Sequence, residues 1–200
     1  MRLENVFLYI VVSVCITIFV HAILEMVAGY ENRKGLSVLQ KILLLSLVFL
    51  SEVSLWIFSP EHLAENTCSM ALLLVIAVID AQTGYVYNCF SYFILFTSGV
   101  LAACNWPTLS NYELQLLSIF ILFIVCAVAL KGLGAGDVPV YFSVMFYYLR
   151  YSECPAEAVV FMLLLSQFLF GVGALLGRKK QLPLVPYIWM AHLFTMCIWI

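Results

Sequence analysis

Leu114-Gln115-Leu116-Leu117-Ser118-Ile119-Phe120-Ile121-Leu122-Phe123-Ile124-Val125-Cys126-Ala127-Val128-Ala129-Leu130-Lys131 runs for seventeen residues before its first charge, and Gln115 and Ser118 are the only hydrophilic side chains before Lys131. A helix needs about 20 mostly apolar residues to cross a bilayer, so the run reads as a membrane span at 114–131. The rest of the chain agrees: hydrophobic residues make up 65% and charged ones 10%, against roughly 25% charged in a soluble domain. Further spans are expected at 6–28, 38–58, 67–82, 89–106, 138–150, 156–177 and 186–200, of which 138–150 and 186–200 are short for a full crossing. The expected fold is therefore all-α: a polytopic membrane helix bundle of six to eight transmembrane helices, in a single integral membrane domain over residues 1–200. Such a chain has no length left for a soluble domain, and any chemistry must come from the helices and their junctions. The lipid bilayer is its first partner, while a net charge of −2 with no basic block excludes nucleic acid.

The first apolar stretch, Val6 to Ala28, is too long for a signal-peptide core and lacks a basic segment before it, so it is expected to be retained. Seven cysteines, at 15, 68, 89, 104, 126, 154 and 197, form no Cys-x-x-Cys pair, and are read as small packing residues. In an eight-span arrangement Arg33, Lys34, Lys41, Lys131, Arg178, Lys179 and Lys180 fall on one side. Arg2 and Arg150 fall on the other with Glu61, Glu65, Glu113 and Glu153, which makes the first side cytoplasmic.

Against nine glutamates the chain has two aspartates, Asp80 and Asp137. Each sits at the end of an apolar run, where a carboxylate costs about 2.5 to 3.5 kcal/mol even on the lenient insertion scale. Asp80 ends the third span on the cytoplasmic side. The chain returns to that side at Lys131, and Asp137 closes the turn Gly134-Ala135-Gly136-Asp137. Two residues 57 apart in sequence thus reach one membrane face at similar depth. Paired carboxylates sharing one proton can hydrolyse a peptide without a metal, the ionised one activating water and the protonated one polarising the carbonyl. Asp80 and Asp137 are the candidate catalytic pair of an intramembrane aspartic protease, and no cofactor is required.

Structural roles compete with this. Asp137, before Val138 and Pro139, fits a helix N-cap, with Gly134 and Gly136 ending the preceding helix. Asp80 is harder to explain so, because a helix C-terminus disfavours an anion and Ala81-Gln82-Thr83-Gly84-Tyr85 offers no cation. No His-Glu-x-x-His helix is present, and His21, His62 and His192 are scattered, so no metal is expected. No cysteine lies in a turn that would activate a thiolate. Glu25 and Glu52, inside apolar runs, fit either an ion path or side chains reaching the interface.

Val78-Ile79-Asp80-Ala81-Gln82-Thr83-Gly84-Tyr85-Val86-Tyr87-Asn88 together with Gly134-Ala135-Gly136-Asp137-Val138 resembles the type IV prepilin peptidases. In that family a first aspartate precedes an Ile-Pro-Asn-like end and a second closes a Gly-x-Gly-Asp turn. Arg178-Lys179-Lys180-Gln181-Leu182-Pro183-Leu184-Val185-Pro186-Tyr187 is similar to the basic, then proline-containing, segment near the family's C-terminus. The resemblance covers 67–200, the expected catalytic part. It implies a membrane aspartic endopeptidase that removes the short basic leader of a prepilin or pseudopilin-like protein at the cytoplasmic face of the cell membrane. Asp80 and Asp137 match the catalytic pair, and Gly134 and Gly136 shape the active-site turn. Tyr87 stands where proline is common and Pro139 where lysine often follows, departures that bear on substrate preference. The chain has none of the paired Cys-x-x-Cys motifs of the long members, which implies cleavage without N-methylation.

Two other readings are open at this level. One is a presenilin or signal-peptide-peptidase-like intramembrane protease, which also pairs two aspartates and which Leu182-Pro183-Leu184 faintly resembles. The other is a small transporter or channel using the aspartates as a proton or cation relay, although the Gly-Ala-Gly-Asp turn has no second copy.

Overall fold

The computed structural model of the chain describes residues 3–30, 37–58, 63–84, 86–104, 108–130, 132–176 and 182–199. These hold eight helices: α1 (Leu3–Tyr30), α2 (Val38–Phe58), α3 (Leu63–Thr83), α4 (Asn88–Cys104), α5 (Asn111–Ala129), α6 (Asp137–Tyr151), α7 (Pro155–Leu176) and α8 (Val185–Trp199). No strand occurs among the described residues. Each expected span corresponds to one helix, with α2 at the boundaries read from the sequence and the rest within four residues of them. Asn66–Thr83, Asn111–Ala129 and Pro155–Leu176 are long and apolar enough to cross a membrane, and shorter apolar helices lie at Thr17–Gly29, Asn88–Cys104 and Val185–Trp199. The chain is an all-helical membrane bundle. Of the residues used for orientation, Arg2, Arg33, Lys34, Glu61, Lys131, Arg178, Lys179 and Lys180 lie outside the described residues, as do His62, Tyr85, Gln181 and the side chain of Glu65.

The starts and stops of the helices follow from local chemistry. Ser110 caps α5 through a reciprocal pair: its Oγ accepts from the Glu113 N–H at 3.3 Å, and Glu113 Oε2 accepts from the Ser110 N–H at 2.8 Å. Ser37 and Gln40 make the same exchange at the start of α2. Pro155 opens α7, where its missing N–H costs nothing. Gly84, at φ +76°, ends α3 in the left-handed conformation, its N–H bonded to the Asp80 carbonyl at 2.8 Å.

The chain forms two compact units, Met1–Val75 and Ile76–Ile200. In the first, α1 packs on α2, and α1 buries Val20, Leu24 and Ala28, one turn apart on a single stripe. Glu25 is matched there by Lys41, whose Nζ lies 2.8 Å from Oε1, with both side chains part-exposed. Glu52 is 3% exposed.

In the second unit α6 is the hub, packing against α4, α7 and α8. Its buried residues, among them Val140, Tyr141, Val144, Met145, Tyr147 and Tyr148, occupy more than one face. A helix enclosed on several sides needs no lipid-facing stripe, which explains how a segment of only about 22 Å can sit in the bundle with four tyrosines. α5 shows the opposite pattern. It buries Leu117, Phe120 and Ile124 on a narrow stripe and exposes Ile119, Leu122 and Val125, a distribution suited to hydrocarbon and not to water. The cysteines are not core fillers: six of the seven are exposed, where a weakly polar thiol tolerates lipid.

Polar groups inside this unit are paired across helices. The Tyr148 hydroxyl lies 2.7 Å from His192 Nδ1 and donates to the His192 carbonyl at 3.1 Å, with both residues fully buried. In the shorter bond the tautomer of His192 decides which of the two groups donates. Tyr148→Phe removes the hydroxyl that makes both bonds and is expected to destabilise the protein by about 1 to 2 kcal/mol. Tyr148→Phe combined with His192→Leu is expected to recover part of the loss; denaturant unfolding in detergent micelles measures both, and equal stability of Tyr148→Phe and wild type would refute the bond's contribution.

Candidate active site

Asp80 lies in the last turn of α3, at the end where the helix dipole opposes a negative charge. The residue is 3% exposed. What offsets that position is another helix. The Val185 N–H, at the first residue of α8, donates to Asp80 Oδ2 at 2.9 Å, and the Leu184 amide also bonds to the carboxylate. Leu184 caps α8 through its carbonyl, which accepts from Tyr187 and Ile188. The Val185 amide is one of the donors a helix leaves without an internal partner in its first turn. Asp80 therefore sits at the negative end of its own helix and at the positive end of α8.

Asp137 is the first residue of α6, and Gly136 holds the cap position. The N-cap reading from sequence is thus off by one: the carboxylate does not cap α6 but turns back, accepting from the Gly134 N–H at 3.2 Å. In return the Asp137 N–H bonds to the Gly134 carbonyl at 3.1 Å, so Gly134-Ala135-Gly136-Asp137 is a closed turn. A Cβ on Gly134 would stand 3.0 Å from Asp137 Oδ2, inside the space the carboxylate occupies. A Cβ on Gly136 would meet the Val86 Cβ at 3.1 Å and its carbonyl at 3.3 Å. Glycine at 136 is what lets the Val86 backbone come this close. Nor do Gly134 and Gly136 end α5, which closes at Ala129 with Leu130 as its cap.

These pieces enclose one cavity of about 490 Å³ lined by Asp80, Asp137, Gly134, Gly136, Val86 and Leu184, with Phe170 and Leu182 on its wall. All four residues singled out from the sequence, Asp80, Asp137, Gly134 and Gly136, face this space. Val86, Phe170, Leu184 and Val185 were not singled out. The only signal for the last two was Pro186, which marks the first turn of a helix and hence a set of free amides just before it. Behind the site, one turn along α6 from Asp137, the buried Tyr141 hydroxyl lies 2.9 Å from Ser166 Oγ and accepts from Gln167 Nε2 at 2.7 Å. This network ties α6 to α7. Among the described residues no group of three or more His, Cys, Asp or Glu converges on a point.

A family model of the type IV leader peptidases matches residues 68–200. The chain belongs to the type IV leader peptidase family. Searches of curated proteins and of solved structures gave no match. Type IV leader peptidases are proteases, so this chain is a peptidase, built here as a helical membrane protein.

Asp137 stands outside the three long apolar helices. Burial first, and then the negative charge of Asp80, push its carboxyl up to about 6. A group whose folded pKa lies above its unfolded value adds stability below the unfolded value and loses it as pH rises through the folded one. Ionised Asp137 is accordingly a burden on the fold above pH 6. Asp137→Asn is expected to raise stability at pH 7.5 by roughly 1 to 3 kcal/mol, with the gain vanishing toward pH 4. Thermal unfolding in micelles at the two pH values checks this, and a gain that is the same at both would contradict it.

Proposed function

We propose that the chain is a membrane aspartic endopeptidase in which Asp80 and Asp137 are the catalytic pair. On this reading it removes the short basic leader of a prepilin or pseudopilin-like protein at the cytoplasmic face of the cell membrane. The observation that carries the reading is that the chain's two aspartates line one cavity in a member of the leader peptidase family. Residues 67–200 are the catalytic part, within one membrane domain.

The chemistry follows from the shared proton. We assign that proton in the resting pair to Asp137, the group pushed up to about 6 by burial and by Asp80, although two coupled carboxyls titrate as a unit. Ionised Asp80 takes a proton from a water molecule, whose oxygen attacks the scissile carbonyl carbon. Asp137 gives its proton to the carbonyl oxygen, and a neutral diol results. Asp137, now ionised, takes a proton from one diol hydroxyl while Asp80 protonates the departing nitrogen; the C–N bond breaks and the pair again holds a single proton. The turn amide at Gly134 and the α8 amide at Val185 keep each carboxylate oriented throughout. The cytoplasmic assignment rests on Arg33, Lys34, Lys41, Lys131 and Arg178-Lys179-Lys180 falling on the side of Asp80 and Asp137 in an eight-span chain. Those cations serve orientation, since the leader is itself basic.

Co-expression with leader-bearing prepilins, followed by gel shift, tests the reading. Asp80→Asn and Asp137→Asn are each expected to reduce leader removal at least about 10³-fold at unchanged membrane levels. Cleavage that survives either substitution would remove that aspartate from the chemistry.

A further inference from the structure

Two glycines, Gly171 and Gly173, stand near the end of α7, where a residue that weakens a helix costs stability unless its missing side chain is put to use. A Cβ on Gly171 would meet nothing within 4 Å among the described residues. Gly173 is different. A Cβ there would overlap the Tyr187 hydroxyl and stand 2.6 Å from Cζ and 3.0 Å from Cε1 of the same ring. The Tyr187 ring thus lies against the α7 backbone at a notch that only glycine leaves open. It also meets Phe170, one turn earlier on α7, edge to face with centroids 5.7 Å apart. Tyr187 is the third residue of α8, and its N–H bonds to the Leu184 carbonyl at 3.0 Å. Val185, two residues before it, is the donor to Asp80.

We propose that Gly173 and Tyr187 are a positioning pair: the ring seated in the notch sets the start of α8 against α7, and so aims the Val185 amide at Asp80. The effect on rate rests on the dyad reading. Neither residue lines the carboxylate cavity, so the pair acts through Val185. α8 packs most extensively on α7, which makes α7 the surface that fixes its depth and rotation. Notch, ring and amide are linked by a single helical turn, and a displacement of the ring that its own rotation does not absorb reaches the amide.

The test uses the purified full chain in micelles, a leader-bearing peptide that it cuts, and the NMR resonance of the Val185 amide proton. Gly173→Ala is expected to lower kcat by roughly tenfold or more at unchanged KM. It is also expected to move the Val185 resonance toward its position in Asp80→Ala, which lacks the acceptor. Tyr187→Leu empties the notch and makes the alanine harmless, so the double variant is expected to match Tyr187→Leu alone in both readouts. A Val185 resonance unmoved by Gly173→Ala would mean that the ring swings aside without drawing α8 after it, and would overturn the proposal. A loss of kcat that Tyr187→Leu does not relieve would do the same. Should Gly173→Ala not accumulate, Tyr187→Leu alone decides. It removes the seat and is expected to lower kcat about threefold with a shifted Val185 resonance, and a wild-type resonance would overturn the pair. Asp80→Asn and Asp137→Asn run beside these keep the two claims apart. Cleavage that survives either one counts against the dyad, whereas the resonance reports on the positioning whatever the chemistry.

Discussion

A carboxylate withdrawn from water needs hydrogen-bond donors, and next to hydrocarbon the cheapest donors are backbone amides that a helix leaves unused at its start. Both aspartates of this chain meet that requirement, by different routes. Asp137 belongs to the opening of α6 and takes its amide from the turn before it. Asp80 belongs to the closing turn of α3 and borrows the opening of α8. Much of the second unit can be read as the means of holding these two helix starts beside one cavity. The enclosed α6 fixes one. The contact of α7 and α8, and of α6 with α8, fixes the other.

The buried polar pairs fit the same scheme. Tyr141 with Ser166 and Gln167 joins α6 to α7, and Tyr148 with His192 joins α6 to α8. Apolar packing alone specifies depth poorly among helices that are apolar all round, since a shift of one turn exchanges one aliphatic contact for another. A hydrogen bond has one register. These bonds set how far along α6 its neighbours lie, and so where Asp137 stands relative to the α8 amide.

The sequence was informative where the signal is local. Spans showed as unbroken apolar runs, and α2 at 38–58 and α6 at 137–151 differ from their expected limits by at most one residue. Both aspartates and both turn glycines stood out because a charge or a Gly-x-Gly cluster is rare against such a background. What could not be read joins residues far apart: Val185 to Asp80, 105 residues away, or His192 to Tyr148, 44 away. No periodicity encodes such contacts. The position of Asp137 was missed by one because an acid before Val-Pro fits both the cap and the first helical residue, and only the direction of its carboxylate separates them. The cysteines were misplaced because an apolar run does not say which of its faces is turned inward.

The bond between Asp80 and the first amide of α8 also places the site in time. A ribosome adding roughly 5 to 20 residues per second reaches Val185 some 5 to 20 s after Asp80. During that interval the acid is made, and α6 with the second acid is made, while the amide that orients the first does not exist. Until α8 is inserted the Asp80 carboxylate lacks that donor, and a chain abandoned before that point carries both acids with the first not yet held by α8.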